Sequence, residues 1–493
     1  MKWSGPLAAA LLLAWTAAPG HAADLLAQPQ WSADQVRAAR PITAEDALVF
    51  DLKSESRGGA VPARTTVQTV TLAPSFVAIE GNGDHVLDDY ALCRTFAWSD
   101  DKPGFDSKSC YASVAFRAAE IYNRRGIAKL MAAAGAKGDD DDPYWSEAEL
   151  AFQDEAVERL AKHGAPDALD YRLGQKSVVR TNGRAADLTP TEAASFARFL
   201  ARHAMVHPQV RRDLKAGGVL PAQMQLTLSL FGARRDVTLN ITNVRRTKVP
   251  FPLPAGAQSS LRLGMDEGDT AKARALHQIL VALDGHSTIA KPTADMIVAS
   301  MQDASDHGHE TDVVLLFLQL TQQYAPLLTG PDKDKYVAAL GPVLRKAAQD
   351  PEAGRFLAIN AMAGDRKAQG DRQAAARWLA NATALDKSPF GTFRYLTFIN
   401  LVANSPDADK WDPAIVKSMP TGADGDWIHI AAYPWASNAY KDAGDTYYEA
   451  FDTVQAWLAF DLGRAIDKDW RSGTMKSVSD SQDKMRAGER DFF

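Results

Sequence analysis

A proline-spaced stretch, Val249-Pro250-Phe251-Pro252-Leu253-Pro254-Ala255-Gly256, limits the architecture of this chain most strongly. Three prolines at alternate positions exclude a helix or a central strand, because proline lacks a backbone N–H and has a fixed φ. Before the stretch, apolar residues alternate in several segments, whereas after about residue 268 they recur with a helical period. The sequence therefore predicts an α+β domain over residues 23–250, a proline-rich linker over 251–258 and an all-α domain over 259–493.

Antiparallel β-hairpins are predicted in the first domain. The turn Gly81-Asn82-Gly83-Asp84 carries the Asn-Gly pair that favours a tight hairpin. β-branched or alternating apolar residues mark the predicted strands, which are Thr65–Leu72, Phe76–Glu80, Tyr90–Trp98, Met224–Leu230 and Val237–Ile241. Residues 24–60 show no strand pattern and are predicted to be irregular or helical.

Two cysteines, Cys93 and Cys110, are the only ones in the chain. In an oxidising compartment an isolated pair most simply forms one disulfide. Their spacing is far from the Cys-x-x-Cys pattern of thiol oxidoreductases, and two buried thiols remain the other alternative. If residues 108–114 pair with the strand that contains Cys93, the two cysteines lie nearly opposite each other.

The segment from Gly370 to Asp386 resembles the second half of a tetratricopeptide repeat. A Gly-Asp turn precedes Ala375, Leu379, Ala382 and Leu385 at the spacing of that family, and Ala363 takes the small position in the preceding helix. A weaker resemblance occurs at Ala439–Asp445, which contains a second Gly-Asp pair. The resemblance covers roughly residues 355–475.

That resemblance implies stacked helical hairpins with an extended concave surface that holds a peptide or protein. Ala375 and Ala382 are expected to let two helices approach closely, with Trp378 and Leu379 between them. Any antiparallel helical hairpin can show the same pattern, so another kind of helical bundle is the alternative.

The first 22 residues have the features of a cleavable signal peptide. Lys2 is followed by the apolar run Leu7–Ala18, and Gly20 and Ala22 fit the small-residue rule for a signal-peptidase site. The run is shorter than the roughly 20 residues that cross a bilayer. We expect cleavage after Ala22, with an uncleaved membrane anchor as the alternative. The mature chain is then periplasmic or secreted and has no membrane span.

The formal net charge of −6 argues against nucleic acid as a partner. Nucleic-acid binding depends on basic patches that release counterions from phosphates. Removal of Lys2 with the signal peptide makes the mature chain more acidic still. A protein or peptide in the cell envelope is the expected partner.

His307 and His309 are the candidate metal ligands, within a cluster that also contains Asp303, Asp306 and Glu310. Two imidazoles and a carboxylate can hold a transition metal. The same residues equally suit a solvated turn whose acidic groups favour the N-terminus of the next helix. The sequence predicts no cofactor.

Three further features have weaker chemical interpretations. His203 and His207 are four residues apart, but no Glu follows His203 as the zinc-protease motif requires. Asp139–Asp142 suits calcium only loosely, because the spacing is not that of a calcium loop. No nucleophile elbow and no Ser-x-x-Lys set occurs.

We therefore expect an exported protein with a binding or scaffolding role, which presents a tetratricopeptide-like surface to a protein or peptide. The alternative is an envelope hydrolase with its active site in the N-terminal domain or at the domain junction. No single catalytic residue is assigned. A cavity with converging polar groups would favour the hydrolase, and a helical groove would favour binding.

Overall fold

The computed structural model describes residues 32–40, 44–58, 62–116, 160–204, 206–230, 233–260, 289–385, 391–405, 411–418, 422–467, 473–488 and 492–493. A few single positions between 130 and 134 and between 272 and 279 are described as well. The predicted signal peptide, the acidic run Asp139–Asp142 and most of a helix predicted over residues 115–134 lie outside these ranges. The chain forms two compact units, which we call the sheet unit (Met1–Gly264 and Tyr447–Phe493) and the helical unit (Met265–Thr446).

The sheet unit contains one antiparallel sheet of eleven strands. Its strands are β1 (Ala44–Arg57), β2 (Arg64–Leu72), β3 (Phe76–Gly81), β4 (Asp84–Asp89), β5 (Arg94–Ser99), β6 (Asp106–Ser109), β7 (Ala161–Ala165), β8 (Ala168–Leu173), β9 (Lys176–Asp187), β10 (Val219–Leu230) and β11 (Ala233–Pro250). The spatial order is β6-β5-β4-β3-β2-β1-β11-β10-β9-β8-β7. Two meanders, β1 to β6 and β7 to β11, therefore meet where β1 pairs with β11.

β1 lies at the centre of the sheet, although the sequence predicted irregular or helical structure there. Ala47, Leu48, Val49 and Phe50 are all buried, so this part of the strand has no polar face. A strand buried on both sides shows a continuous apolar run, which periodicity alone does not distinguish from a helix. The polar strands β7 to β9 were not predicted either.

The first predicted hairpin forms between β3 and β4. Asn82 and Gly83 both have positive φ, 57° and 78°, as a type I′ turn requires. The returning segment is two strands rather than the single predicted strand. Asp89 ends β4 because its carboxylate accepts the backbone N–H groups of Ala91 and Leu92, which turns the chain before β5.

Helices cover parts of both sheet faces. α2 (Pro190–His203) and α3 (Pro208–Gly217) share an apolar core with the strands, in which Phe199 contacts Phe50 edge-on. A short helix, α1 (Ala33–Ala38), shares a second core with Phe251 and Leu253. The proline-rich segment predicted as a linker is thus packed within the sheet unit, because its alternate apolar side chains are buried.

Cys93 and Cys110 form a disulfide with Cα atoms 5.1 Å apart. They follow the last β5–β6 pair, and the Cys110 N–H donates to the Cys93 carbonyl at 2.9 Å. Residues 110–116 are helical rather than a strand. This helix packs on α13 (Thr453–Ile466), where Tyr111 stacks on Trp457 and shares a core with α14 (Lys476–Gly488).

The helical unit consists of α-helices in its described residues. They are α4 (Ala294–Asp306), α5 (Glu310–Tyr324), α6 (Lys333–Ala347), α7 (Pro351–Gly364), α8 (Arg372–Leu385), α9 (Thr392–Ala403), α10 (Pro413–Lys417) and α11 (Ala423–Ala432). A 3₁₀ turn, Ala325–Leu328, follows α5, and α12 (Ser437–Glu449) spans the boundary between the two units. The run Val313–Leu316 is buried on every side of α5, which makes this helix the centre of the unit's core.

The best repeat-like segment begins with the predicted turn. Gly370 has φ 149°, and the Asp371 carboxylate accepts the Ala374 N–H at 2.9 Å to cap α8. α7 and α8 each pack most extensively on α9. The second Gly-Asp pair, Gly444-Asp445, lies inside α12 and forms no turn. The tetratricopeptide resemblance therefore remains a sequence-based proposal for a unit that is helical throughout its described part.

Candidate functional site

Two surface concavities carry candidate chemistry, one in each unit. The first, which we call the Asp88 cleft, is built on neighbouring strands of the sheet unit. Asp88 of β4 lies opposite Thr95 of β5, and Thr95 lies opposite Lys108 of β6. Because directly paired residues of a sheet project to the same face, their side chains form one row across three strands.

The C-terminal turn of α2 closes one side of this row. The Asp88 carboxylate accepts a hydrogen bond from the Thr95 hydroxyl at 2.6 Å, contacts His203 Nε2 at 2.7 Å and pairs with Arg202 Nη1 at 3.2 Å. Burial alone would raise the pKa of Asp88, but the Arg202 guanidinium and the His203 ring outweigh burial and hold its pKa well below the usual range. Asp88 is therefore a fixed carboxylate, and His203 Nε2 carries the proton that faces it.

Phe451 also lines the cleft and has an unusual backbone conformation. Its N–H donates to the Tyr448 carbonyl at 3.0 Å, and the Asp452 N–H donates to the Tyr447 carbonyl at 2.9 Å. This pair of bonds is the Schellman motif, which places Phe451 at the left-handed position that normally belongs to glycine. Its φ of 63° costs roughly 1–2 kcal/mol for a residue with a Cβ atom. Strain of this kind is common at functional sites.

The cleft encloses about 550 Å³. Three of its lining side chains are large, apolar and exposed: Phe116 at 49%, Phe451 at 43% and Val454 at 39%. Ligand cavities of about 300–1,000 Å³ typically combine apolar walls with a few fixed polar groups. The Asp88 cleft has both features.

The second concavity, which we call the Trp378 groove, lies in the helical unit and encloses about 510 Å³. Four helices line it, namely α5, α7, α8 and α9. Trp378 is half-buried and Asn381, one turn further along α8, is exposed. The lining also includes Thr311, Asp312, Glu352, Ala382 and Arg394.

Aromatic and charged contacts hold the floor of the Trp378 groove. Arg394 Nη2 donates to Glu352 Oε1 at 2.9 Å, and its guanidinium lies 5.7 Å from the Trp378 ring centre. Arg355 approaches the same ring at 5.1 Å. Ala375 and Leu379 are buried, whereas Ala382 lines the groove. A Trp ring beside exposed amide and carboxylate groups is suited to peptide recognition.

His307 and His309, the candidate metal ligands, lie between the end of α4 and the start of α5. His307 Nδ1 donates to the Asp303 carbonyl at 2.8 Å, and the His307 and His309 rings are 6.4 Å apart. The Glu310 carboxylate pairs with Lys346 at 2.7 Å. In the described ranges no three His, Cys, Asp or Glu side chains are grouped so as to hold a metal ion.

His203 and His207 do not share a helix face. α2 ends at His203, and the His207 ring accepts the Gln209 N–H at the start of α3. His203 is instead paired with Asp88. No sequence pattern points to this pair, because the two residues are far apart in the chain. Phe451 stands just after a helix, at the position where glycine is usual. A sequence search for a Phe at that position would have identified it.

No known protein family matches this chain, and no curated protein matches it. A solved structure titled for lipid–protein interactions in lipovitellin aligns with 90% of the chain at 9% identity and a TM-score of 0.15. The chain spans 50% of that lipovitellin chain. At this TM-score the alignment supports no argument about the fold or the function.

Proposed function

We propose that this protein is exported and holds a protein or peptide partner in the Trp378 groove. The observation that carries the proposal is the meeting of four helices around Trp378 and Asn381, in the segment that resembles a tetratricopeptide repeat. An indole ring supplies contact area, and an exposed amide can both donate to and accept from a peptide backbone.

Export to the periplasm or the cell exterior is supported by two kinds of observation. Residues 1–22 have the pattern of a signal peptide, and the disulfide between Cys93 and Cys110 suits an oxidising compartment. Among the helices that the structure describes, none has the length and apolarity needed to cross a bilayer. Mass spectrometry of the protein from its own cells should show a chain that begins at Ala23 in the envelope or medium fraction.

Peptide binding can be tested by selecting peptides on the full mature chain and measuring their affinities by fluorescence anisotropy. We expect Trp378→Ala to weaken binding roughly 30-fold, the size of a central aromatic hot spot. Asn381→Ala should weaken it less. Val337→Ala, at an exposed valine of α6 outside the groove lining, is the control and should leave the affinity unchanged. If the selected peptides bind the Trp378→Ala variant as tightly as they bind the native chain, the Trp378 groove is not their binding site.

A second candidate function is favoured by the Asp88–His203 pair. Ser113 is exposed on helix 110–116 and lines the same cleft. An envelope hydrolase would use the Ser113 hydroxyl as nucleophile and His203 as base, with Asp88 holding the ring. Turnover of nitrophenyl esters that is lost in both Ser113→Ala and His203→Gln would support it. Turnover that survives Ser113→Ala would count against it.

A further inference from the structure

The carboxylates of the Asp88 cleft are already engaged by the protein itself. Asp88 contacts Thr95, Arg202 and His203. Asp452 caps α13, where its side chain accepts the Gln455 N–H at 3.1 Å. The Arg202 guanidinium is also engaged, because it donates twice to the Phe492 carbonyl, at 3.0 and 2.7 Å. Asp88 and Arg202 therefore have little hydrogen-bonding capacity left for a ligand, and one oxygen of the exposed Asp452 carboxylate is held by the helix cap.

Lys108 and Ser113 are two exposed polar side chains of the cleft that keep that capacity. Lys108 is exposed and makes no ion pair or hydrogen bond with any described residue, and the Ser113 hydroxyl makes none either. The ammonium group supplies three donors and one positive charge, and the hydroxyl adds a fourth donor. These two side chains together can receive one negative charge.

The rest of the cleft is apolar and exposed. Phe116, Phe451 and Val454 come from two separate chain segments and line one cavity. Exposed apolar side chains gathered in this way mark a binding surface more often than chance scatter does. The left-handed backbone of Phe451 strengthens the case, because a glycine there would remove both the strain and the aromatic wall.

We infer that the Asp88 cleft binds a small molecule whose apolar chain ends in a single carboxylate. The carboxylate pairs with Lys108 and Ser113, and the chain covers Phe116, Phe451 and Val454. A dianion is disfavoured because Lys108 is the one unengaged cation among the described lining residues, and its charge also disfavours a cationic amphiphile. The site belongs to the sheet unit and is independent of peptide binding in the Trp378 groove.

The test is calorimetry of the full mature chain with octanoate, decanoate and dodecanoate below their micelle concentrations. Each added CH₂ group should tighten binding by up to about fourfold, which corresponds to 0.8 kcal/mol, until the cavity is full. Decanoate should bind more tightly than decanol, and decyltrimethylammonium should bind least. Equal affinities for the three decyl compounds would overturn the assignment of the carboxylate.

Two variants, each with its own control, test the two ends of the ligand. Lys108→Gln should weaken decanoate about tenfold and leave decanol unchanged, whereas Lys102→Gln, a nearby exposed lysine outside the cleft, should change neither. Phe451→Ser should weaken both compounds about tenfold, whereas Val67→Ser, at an exposed valine of β2 outside the cleft, should not. Unchanged binding in Lys108→Gln and Phe451→Ser, or no binding at millimolar ligand, would reject the site. If the same variants lose binding of the selected peptides, the cleft is instead the site where the peptide binds.

Discussion

The Asp88 cleft and the Trp378 groove are assembled in opposite ways. The groove takes its side chains from four helices within one stretch of the chain, residues 311–394. The cleft joins residues from distant parts of the chain, from Asp88 and Lys108 through His203 to Phe451. Local assembly leaves a pattern that can be found in sequence, whereas non-local assembly depends on strand register and leaves none.

The two concavities also differ in what holds their polar groups. In the cleft, a buried carboxylate is matched by a guanidinium, an imidazole and a hydroxyl before any ligand arrives. In the groove, the Arg394–Glu352 pair lies beside a half-buried indole, and Glu352 remains exposed. Substitutions should therefore affect stability most in the cleft and affect binding most in the groove.

The largest effect is expected from Asp88→Ala. Removing this carboxylate leaves the Arg202 charge buried without its partner, which typically costs about 3–5 kcal/mol of unfolding free energy. Asp84→Ala, at the exposed start of the same strand, should change stability by less than about 0.5 kcal/mol. Denaturant unfolding followed by circular dichroism measures both. Equal stability of the two variants would contradict the electrostatic role of Asp88.

The stabilisation by Asp88 also has a defined pH range. Because the pKa of Asp88 lies well below its usual range in the folded state, its contribution is complete above the unfolded-state pKa of about 3.9. It should be lost only as the pH falls below about 4. Asp88→Asn should lack this acid-dependent component, which thermal unfolding between pH 7 and pH 2 would reveal.

The next largest effect is expected in the helical unit, from Leu379→Ala. Leu379 is fully buried, so its truncation leaves a cavity and should cost about 2–5 kcal/mol. Trp378→Ala, one residue earlier, should cost less because the indole is half-exposed. If both variants unfold alike, Trp378 is a core residue and the groove loses its main binding feature.

A smaller effect with the opposite sign is expected from Phe451→Gly. Glycine adopts the left-handed conformation at the end of α12 without strain, so the variant should be more stable by about 1 kcal/mol. Phe116→Gly makes the same side-chain change within a helix and should be destabilising by about that amount. Thermal unfolding of the two variants compares them directly. A destabilised Phe451→Gly would mean that Phe451 serves packing rather than a ligand.

The smallest expected effect is the titration of His429 in α11. Burial lowers the pKa of His429, and the nearby Asp442 and Asp426 carboxylates only partly oppose that shift. The ring should therefore stay neutral in the fold below the usual value of 6.5, and stability should decrease as the pH falls from 6.5 towards the folded-state pKa. NMR titration of the imidazole protons tests the direction. His429→Gln should remove this small pH dependence.

The sequence determined the two-part architecture, the Asn82-Gly83 hairpin, the capped start of α2 at Thr189 and the helix starting after Gly370-Asp371. Each of these depends on residues within a few positions of one another, through backbone conformations that only certain side chains favour. The sequence also predicted which cysteines pair, because two cysteines allow only one disulfide within the chain.

Only the tertiary structure decided the rest. β1 is the central strand because both of its faces are covered. Tyr447–Phe493 belongs to the sheet unit because Trp457 and Phe492 pack with Tyr111. The Asp88 cleft exists because the register of β4, β5 and β6 aligns three side chains beside the end of α2. Register and packing are set by the whole chain at once, since each depends on burial that no short segment achieves alone.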